Sequence, residues 1–180
     1  MKTALVLFAE GSEELEAVTI IDILRRAEVN VTVAGLAAGP LRGSRGTVLL
    51  PDTTLDDALT HDYDMIVLPG GQPGSNSFKA DERVIKLVQR MSNADKYVTA
   101  ICAAPSVLAT AGLLDGKQAT SFPGALDPFR QVTQQTTAVV EDGKLITSRG
   151  PGTAMDFALT LVERLVGENK RQEVEAGLQR

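Results

Sequence analysis

The stretch Tyr97-Val98-Thr99-Ala100-Ile101-Cys102-Ala103-Ala104-Pro105 decides the fold. Its first five residues are aromatic, β-branched or small, the composition of a buried strand. From Pro105 to Ala111 the pattern is helical, with Gly112 near the stop. The chain therefore turns from strand to helix at Cys102, and such junctions belong to a sheet with helices packed on its faces.

Working outward, the same alternation recurs. Thr3 to Phe8 reads as a buried strand, and Glu13 to Ala27 as a helix with Leu15, Val18, Ile20, Ile23 and Leu24 near a 3.6-residue period. Asn30 to Leu36 is a second strand, and Thr47 to Leu50 a short one after the Gly39–Gly46 turn region. Asp64 to Leu68 is a strand ending at Pro69-Gly70-Gly71, followed by a helix from Asp81 to Met91. Thr136 to Thr147 reads as a β-hairpin turning at Asp142-Gly143. Gly152 to Val166 is an amphipathic helix, and a polar helix follows to about Gly177. Strands and helices joined by short connections predict an α/β fold: a doubly wound, mostly parallel sheet, helices on both faces and one hairpin. Nothing reads as a linker or repeat, so residues 1–180 are expected to form a single domain.

Composition narrows the function. The 180 residues include 18 Lys+Arg and 23 Asp+Glu, a net charge of -5. A mildly acidic chain has no global pull toward nucleic acid or anionic membrane, so no specific nucleic-acid partner is expected. No apolar run reaches the roughly 18 residues of a membrane span. The N-terminal Met1–Glu10 lacks the long apolar core and cleavage site of a signal peptide, so a cytoplasmic location is expected. One Cys and one His exclude an internal disulfide, a thiolate-rich zinc site and a His-pair metal motif. No metal or cofactor is expected.

In such folds, ligands bind at the carboxyl ends of the strands, which points to the loops after Ala9, Leu68 and Ile101. Cys102, flanked by small residues, fits a nucleophile elbow. At a helix start its thiolate is favoured, which predicts a pKa below the free value of about 8.5. The alternative is an inert thiol packed as a small hydrophobe. Gly70 and Gly71 let backbone approach a ligand, and the N–H groups of Gly71 and Ala103 are candidates for an oxyanion hole. The alternative is a plain turn. Glu13 and Glu14, after Ser12, read as acids favouring the helix start. Glu16 lies one turn further in and is expected to face the strand ends, with a raised pKa and a proton to share with sulfur. His61 precedes the Asp64–Leu68 strand. A five-residue strand spans roughly 16 Å, which puts His61 out of reach of Cys102 and removes the base of a papain-like protease. Thr147-Ser148-Arg149-Gly150-Pro151-Gly152-Thr153 leads into a helix, either as an anion site or as ordinary capping by Ser148 or Thr153. Arg25 and Arg26 either cap their helix or lie at an interface.

Taken together, these motifs resemble the ThiJ/PfpI superfamily, and closely its DJ-1-like branch. The matching stretches are Ala4-Leu5-Val6 with Gly11-Ser12-Glu13-Glu14-Leu15-Glu16, Val31–Leu36, Val67-Leu68-Pro69-Gly70-Gly71, Ala100–Pro105 and Thr147–Thr153. The resemblance implies a flavodoxin-like α/β sandwich and a homodimer. It implies that Cys102 is the oxidisable nucleophile, Glu16 its protonated partner, and Gly71 and Ala103 the backbone donors around it. Gly70, Arg45, Phe122, Ser148, Gly150 and Pro151 are expected to line the pocket. One position departs from the pattern: many members carry a His in a Thr-x-His-Pro-like stretch, and here Thr120-Ser121-Phe122-Pro123 has Phe122. That leaves Glu16 as the acid/base group and counts against a peptidase.

Three functions follow from the resemblance and the residues. The first is a cofactor-independent enzyme acting on small α-oxoaldehydes such as methylglyoxal or glyoxal, or on their protein and nucleotide adducts, as in glyoxalase III or a deglycase. The second is an oxidative-stress sensor or redox-regulated chaperone working through a Cys102 sulfinate, since an accessible thiolate is what peroxide oxidises first. The third is a dimeric binding module in which Cys102 does no chemistry.

Overall fold

Ala4 to Phe8 are five buried residues in a row, and the arrangement of the sheet explains why the strand does not alternate with polar residues. Ala4, Val6 and Phe8 point into one core and Leu5 and Leu7 into another on the opposite face. A strand covered on both faces needs apolar residues on both.

The computed structural model describes all 180 residues. In chain order the elements are β1 (Thr3–Phe8), α1 (Glu14–Arg26), β2 (Asn30–Gly35), β3 (Leu41–Arg42), β4 (Val48–Leu49), β5 (Thr53–Thr54), α2 (Leu55–Ala58) and β6 (Met65–Leu68). They continue with α3 (Gln72–Ala80), α4 (Glu82–Asn93), β7 (Tyr97–Ile101), α5 (Pro105–Thr110), β8 (Gln118–Ala119) and β9 (Thr133–Gln134). The chain closes with β10 (Val139–Asp142), β11 (Leu145–Ser148), α6 (Ala154–Val166) and α7 (Glu168–Gly177). The main sheet has seven strands in the order β10-β11-β7-β6-β1-β2-β5. All its pairs are parallel except the β10–β11 hairpin. This is the expected flavodoxin-like α/β fold.

Helices α1 and α6 cover one face, burying Ile20, Leu24, Phe157 and Leu161 against β1 and β6. Helices α4 and α5 cover the other with Val84, Leu87, Val107 and Leu108. No helix is long and apolar enough to cross a membrane.

Several features differ from the expectation. The predicted strand at Thr47–Leu50 does not join the sheet; β4 pairs antiparallel with β3 as a separate ribbon. Helix α3 occupies a stretch to which the sequence assigned no element, because Gln72-Pro73-Gly74-Ser75-Asn76 has poor helix propensity. Packing overrides that: a Cβ on Gly74 would lie 2.6 Å from Ser12 Oγ, and Phe78 is fully buried. Helix α6 starts at Ala154, after one tight turn over Pro151–Thr153.

Phe157 fills the α1–α6 core with no exposure. Phe157→Ala is expected to cost about 3–5 kcal/mol of unfolding free energy in urea titrations, the usual range for emptying such a site. An effect under about 1 kcal/mol would mean that this face is not the packed core described.

Candidate active site

Parallel pairing brings the carboxyl ends of β1, β6 and β7 side by side, and the candidate residues gather there. Cys102 follows β7 directly and has φ 66°. The other non-glycine residues at positive φ, Glu28, Asp95 and Gln179, all lie just past a helix C-terminus, where that conformation is common. Cys102 alone holds it between strand and helix, a strain of about 1–3 kcal/mol. Two backbone bonds enforce it: the Cys102 N–H donates to the Ser148 carbonyl at 3.0 Å, and its carbonyl accepts from the Phe122 N–H at 2.8 Å. The side chain is left 9% exposed at the floor of a cavity of about 360 Å³.

Glu16 reaches the same floor from α1 and has no exposure. Its Oε2 accepts from the Gly70 N–H at 2.7 Å. Its Oε1 is buried without a hydrogen-bond partner, and the Cys102 thiol lies beside the carboxyl. Burial pushes the Glu16 carboxyl up to about 7, helped by the charge of Glu13 and opposed by the Gly70 and Cys102 hydrogen bonds.

The low thiol pKa expected at Cys102 is not what this environment gives. Burial first, then the Glu16 charge and its hydrogen bond, push the thiol up to about 12, against the Gly71 and Ala103 N–H groups that face the sulfur. The helix that was to stabilise a thiolate is only six residues long and starts three residues later, so its pull is weak. Two adjacent buried groups cannot both carry charge, so near pH 7 the pair passes from two protons to one shared proton and a single negative charge. Whenever Glu16 holds that proton, its repulsion of a thiolate vanishes.

The glycines here leave no room for side chains. A Cβ on Gly70 would lie 2.5 Å from Cys102 Cβ and 2.7 Å from Glu16 Oε2. Gly71 has φ 85°, and a Cβ there would lie 2.3 Å from the Gly11 carbonyl.

Of the pocket-lining residues expected from sequence, Arg45, Phe122 and Pro151 border the cavity together with Gly71, Cys102 and Ala103. Gly70 lies beneath the floor. Ser148 is a correction: it is fully buried, donating to the Ala138 carbonyl and bonded to Thr153 Oγ1, and braces the loop from behind. Gly150 is another: it borders a neighbouring hollow instead. Sequence reasoning missed Glu13, Ser44, Gln72 and Pro73 at the cavity wall.

Glu13 stands at the N-cap of α1 and Glu14 in its first turn, as expected of acids at a helix start, but the Glu13 side chain caps no N–H of the helix and both acids reach across to the β3–β4 loop. Ser44 Oγ donates to Glu13 at 2.6 Å, and Glu14 accepts from the Arg45 and Thr47 N–H groups at 2.9 and 3.1 Å. Burial would raise Glu14, but these backbone bonds and Ser44 outweigh it and hold the carboxyl down at about 2. The two acids thus clamp the β3–β4 loop over the cavity. The Arg45 side chain itself is 81% exposed, 3.9 Å from Glu13. His61 is exposed in the turn before β6, at the opposite end of that strand. No three His, Cys, Asp or Glu side chains converge as metal ligands.

The DJ-1/PfpI family model matches residues 2–164. The chain belongs to the DJ-1/PfpI family. It is 45% identical to Protein dj-1beta of Drosophila melanogaster, over 98% of this chain and 96% of that protein. The solved structure of oxidized Toxoplasma gondii DJ-1 superposes with a TM-score of 0.96 at 35% identity, over 99% of this chain and 98% of that one. A further DJ-1/PfpI relative, from Caenorhabditis elegans, bears the name glutathione-independent glyoxalase DJR-1.2. It is 33% identical over 94% of this chain and 91% of its own length.

A carboxyl raised from 4.5 to about 7 binds more protons in the folded than in the unfolded chain between those values. Stability is therefore lost as pH rises through that window, by about 3 kcal/mol at one pKa unit per 1.4 kcal/mol. Glu16→Gln removes the loss. Thermal melts are expected to show the variant gaining on wild type from pH 5 to pH 8. A difference that stays constant with pH would contradict the buried charge.

Proposed function

We propose that the protein is a cofactor-independent, glyoxalase III-like enzyme that converts small α-oxoaldehydes to hydroxy acids, with protein or nucleotide adducts of the same aldehydes as related substrates. The observation that carries this reading is the strained Cys102 beside one buried carboxyl, Glu16, of raised pKa. The name of the C. elegans relative supports the same reaction class.

In this reading, Cys102 Sγ attacks the aldehyde carbon of methylglyoxal and its proton passes to Glu16. The developing oxyanion is met by the Gly71 and Ala103 N–H groups and takes the proton back from Glu16, giving a hemithioacetal and a free carboxylate. Glu16 then takes the hydrogen from the former aldehyde carbon as a proton, leaving an enediolate, and returns it to the neighbouring carbon while the hydroxyl proton passes from the first oxygen to the second. The product is a thioester of lactate: one carbon has been oxidised, its neighbour reduced, and no external electron carrier is needed. Water hydrolyses the thioester and restores the thiol. Arg45, Phe122 and Pro151 shape the cavity, and no metal or other cofactor takes part. We extend the reading to a cytoplasmic homodimer. A second cavity, about 560 Å³, lies away from Cys102 between α1 and β4, and exposed Val18 and Leu50 beside it form an apolar face that a second copy would cover.

The second reading, sensing or redox-regulated chaperoning through a Cys102 sulfinate, is favoured by the single free thiol bordering a cavity and by the oxidized state of the T. gondii neighbour. It asks for a standing thiolate, which the pair supplies only when Glu16 holds the proton.

Lactate formed from methylglyoxal, without added thiol or metal, tests the enzyme reading. Wild type is expected to turn over, Cys102→Ser to lose all activity, and Glu16→Gln to lose about 10²–10⁴-fold, the usual worth of positioned proton transfer. No lactate from wild type with its thiol shown to be reduced would contradict it.

A further inference from the structure

Phe122 is half exposed (50%) at the mouth of the Cys102 cavity, and the chemistry above leaves its ring without a task. Its place is set by its backbone N–H, which holds the Cys102 carbonyl. The ring borders two hollows. One is the Cys102 cavity; the other, about 280 Å³, is formed with Pro123, Arg149, Gly150, Pro151, Gly152 and Thr153. Pro151 borders both.

The inner hollow presents Glu13, Ser44, Arg45, Gln72 and the thiol beside Pro73, Ala103, Phe122 and Pro151. The outer one presents proline rings, the aromatic ring and two glycines, and its one charged side chain, Arg149, is tied to the Thr136 carbonyl at 2.6 Å. The missing side chain at Gly150 leaves the ring free to lie close: a Cβ there would be 3.4 Å from Phe122 Cδ2.

We propose that the outer hollow is a subsite for the apolar or planar tail of a substrate whose carbonyl head sits over Cys102, with Phe122 as the wall between them and the specificity-determining residue. The site then favours α-oxoaldehydes bearing an aryl or extended alkyl group over glyoxal, which fills the inner cavity only. Apolar area taken from water against Phe122 and Pro151 drives the preference. The inference rests on the reading of Cys102 as the attacking nucleophile, and on no other part of the reaction.

Gly152 makes the test independent of the inner cavity. It borders the outer hollow only, its φ is outside the left-handed region, and a Cβ there meets nothing within 4 Å. Gly152→Leu therefore adds an apolar side chain at the border of the hollow without strain. The measurement is the rate of Cys102 alkylation by iodoacetamide and by N-phenyl iodoacetamide, read by mass, with free cysteine as reference. In wild type the aryl reagent is expected to gain about five-fold or more over its ratio with free cysteine, within the range of modest apolar contacts. Phe122→Ala and Gly152→Leu are expected to abolish the gain, each ratio being taken against that variant's own iodoacetamide rate, and Gly152→Leu to leave the iodoacetamide rate within two-fold. A wild-type ratio equal to that of free cysteine overturns the proposal, and so does a gain that survives in either variant. Turnover is not read, so an enzyme inert toward methylglyoxal that still shows the gain sinks the glyoxalase reading and leaves the subsite standing. A thiol that neither reagent modifies overturns both.

Discussion

A carboxyl and a thiol share the floor of one cavity, almost out of contact with water, and only one of them can be charged. Glu16 has a single backbone donor, Gly70, its second oxygen is unpartnered, and the Cys102 thiol lies beside the carboxyl. Burial alone would keep both groups neutral. The Gly70, Gly71 and Ala103 N–H groups make one negative charge tolerable there, and the second is excluded by the first. The proton that remains is the one the proposed chemistry moves.

The rest of the fold serves that constraint. Three parallel strands deliver Ala9, Leu68 and Ile101 to one edge, and the loops after them supply helix α1 with Glu16, the Gly70-Gly71 turn and Cys102. Gly70 has to be glycine because the two reactive side chains press against it. Cys102 has to accept a left-handed backbone because the β11 and Phe122 segments hold its N–H and carbonyl from either side. Glu13 and Glu14, one turn before Glu16, fasten the β3–β4 loop over the cavity, so one short acidic stretch both closes the site and charges it.

The sheet was legible because its strands are buried on two faces, and Ala4–Phe8 and Tyr97–Ile101 announce that as continuous apolar runs. Helix α3 was not, because Gly74 and Pro73 weaken the local pattern and a contact with Ser12, 62 residues earlier, decides the outcome. Strand β5 is two residues long, too short for any period to register. At the site, Cys102, Glu16, Gly71 and Ala103 were named from local motif and resemblance, and the structure brings them together. Their protonation was not readable, since it depends on how deeply two residues from separate elements are buried against each other. Glu13 and Glu14 were read only as acids at the helix start, where they do stand, because their further partners, Ser44, Arg45 and Thr47, lie some thirty residues away across a ribbon that the pattern did not resolve.

The shared proton is the centre of this account, and the pH dependence of Cys102 alkylation by iodoacetamide tests it most directly. Wild type is predicted to gain reactivity through an apparent pKa near 7, where the pair loses its first proton and Glu16 becomes able to accept from sulfur. In Glu16→Gln that inflection is predicted to move to higher pH, because burial then acts on the thiol with no carboxylate to take its proton. The same profile in both proteins, or an inflection lower in the variant, would contradict the account.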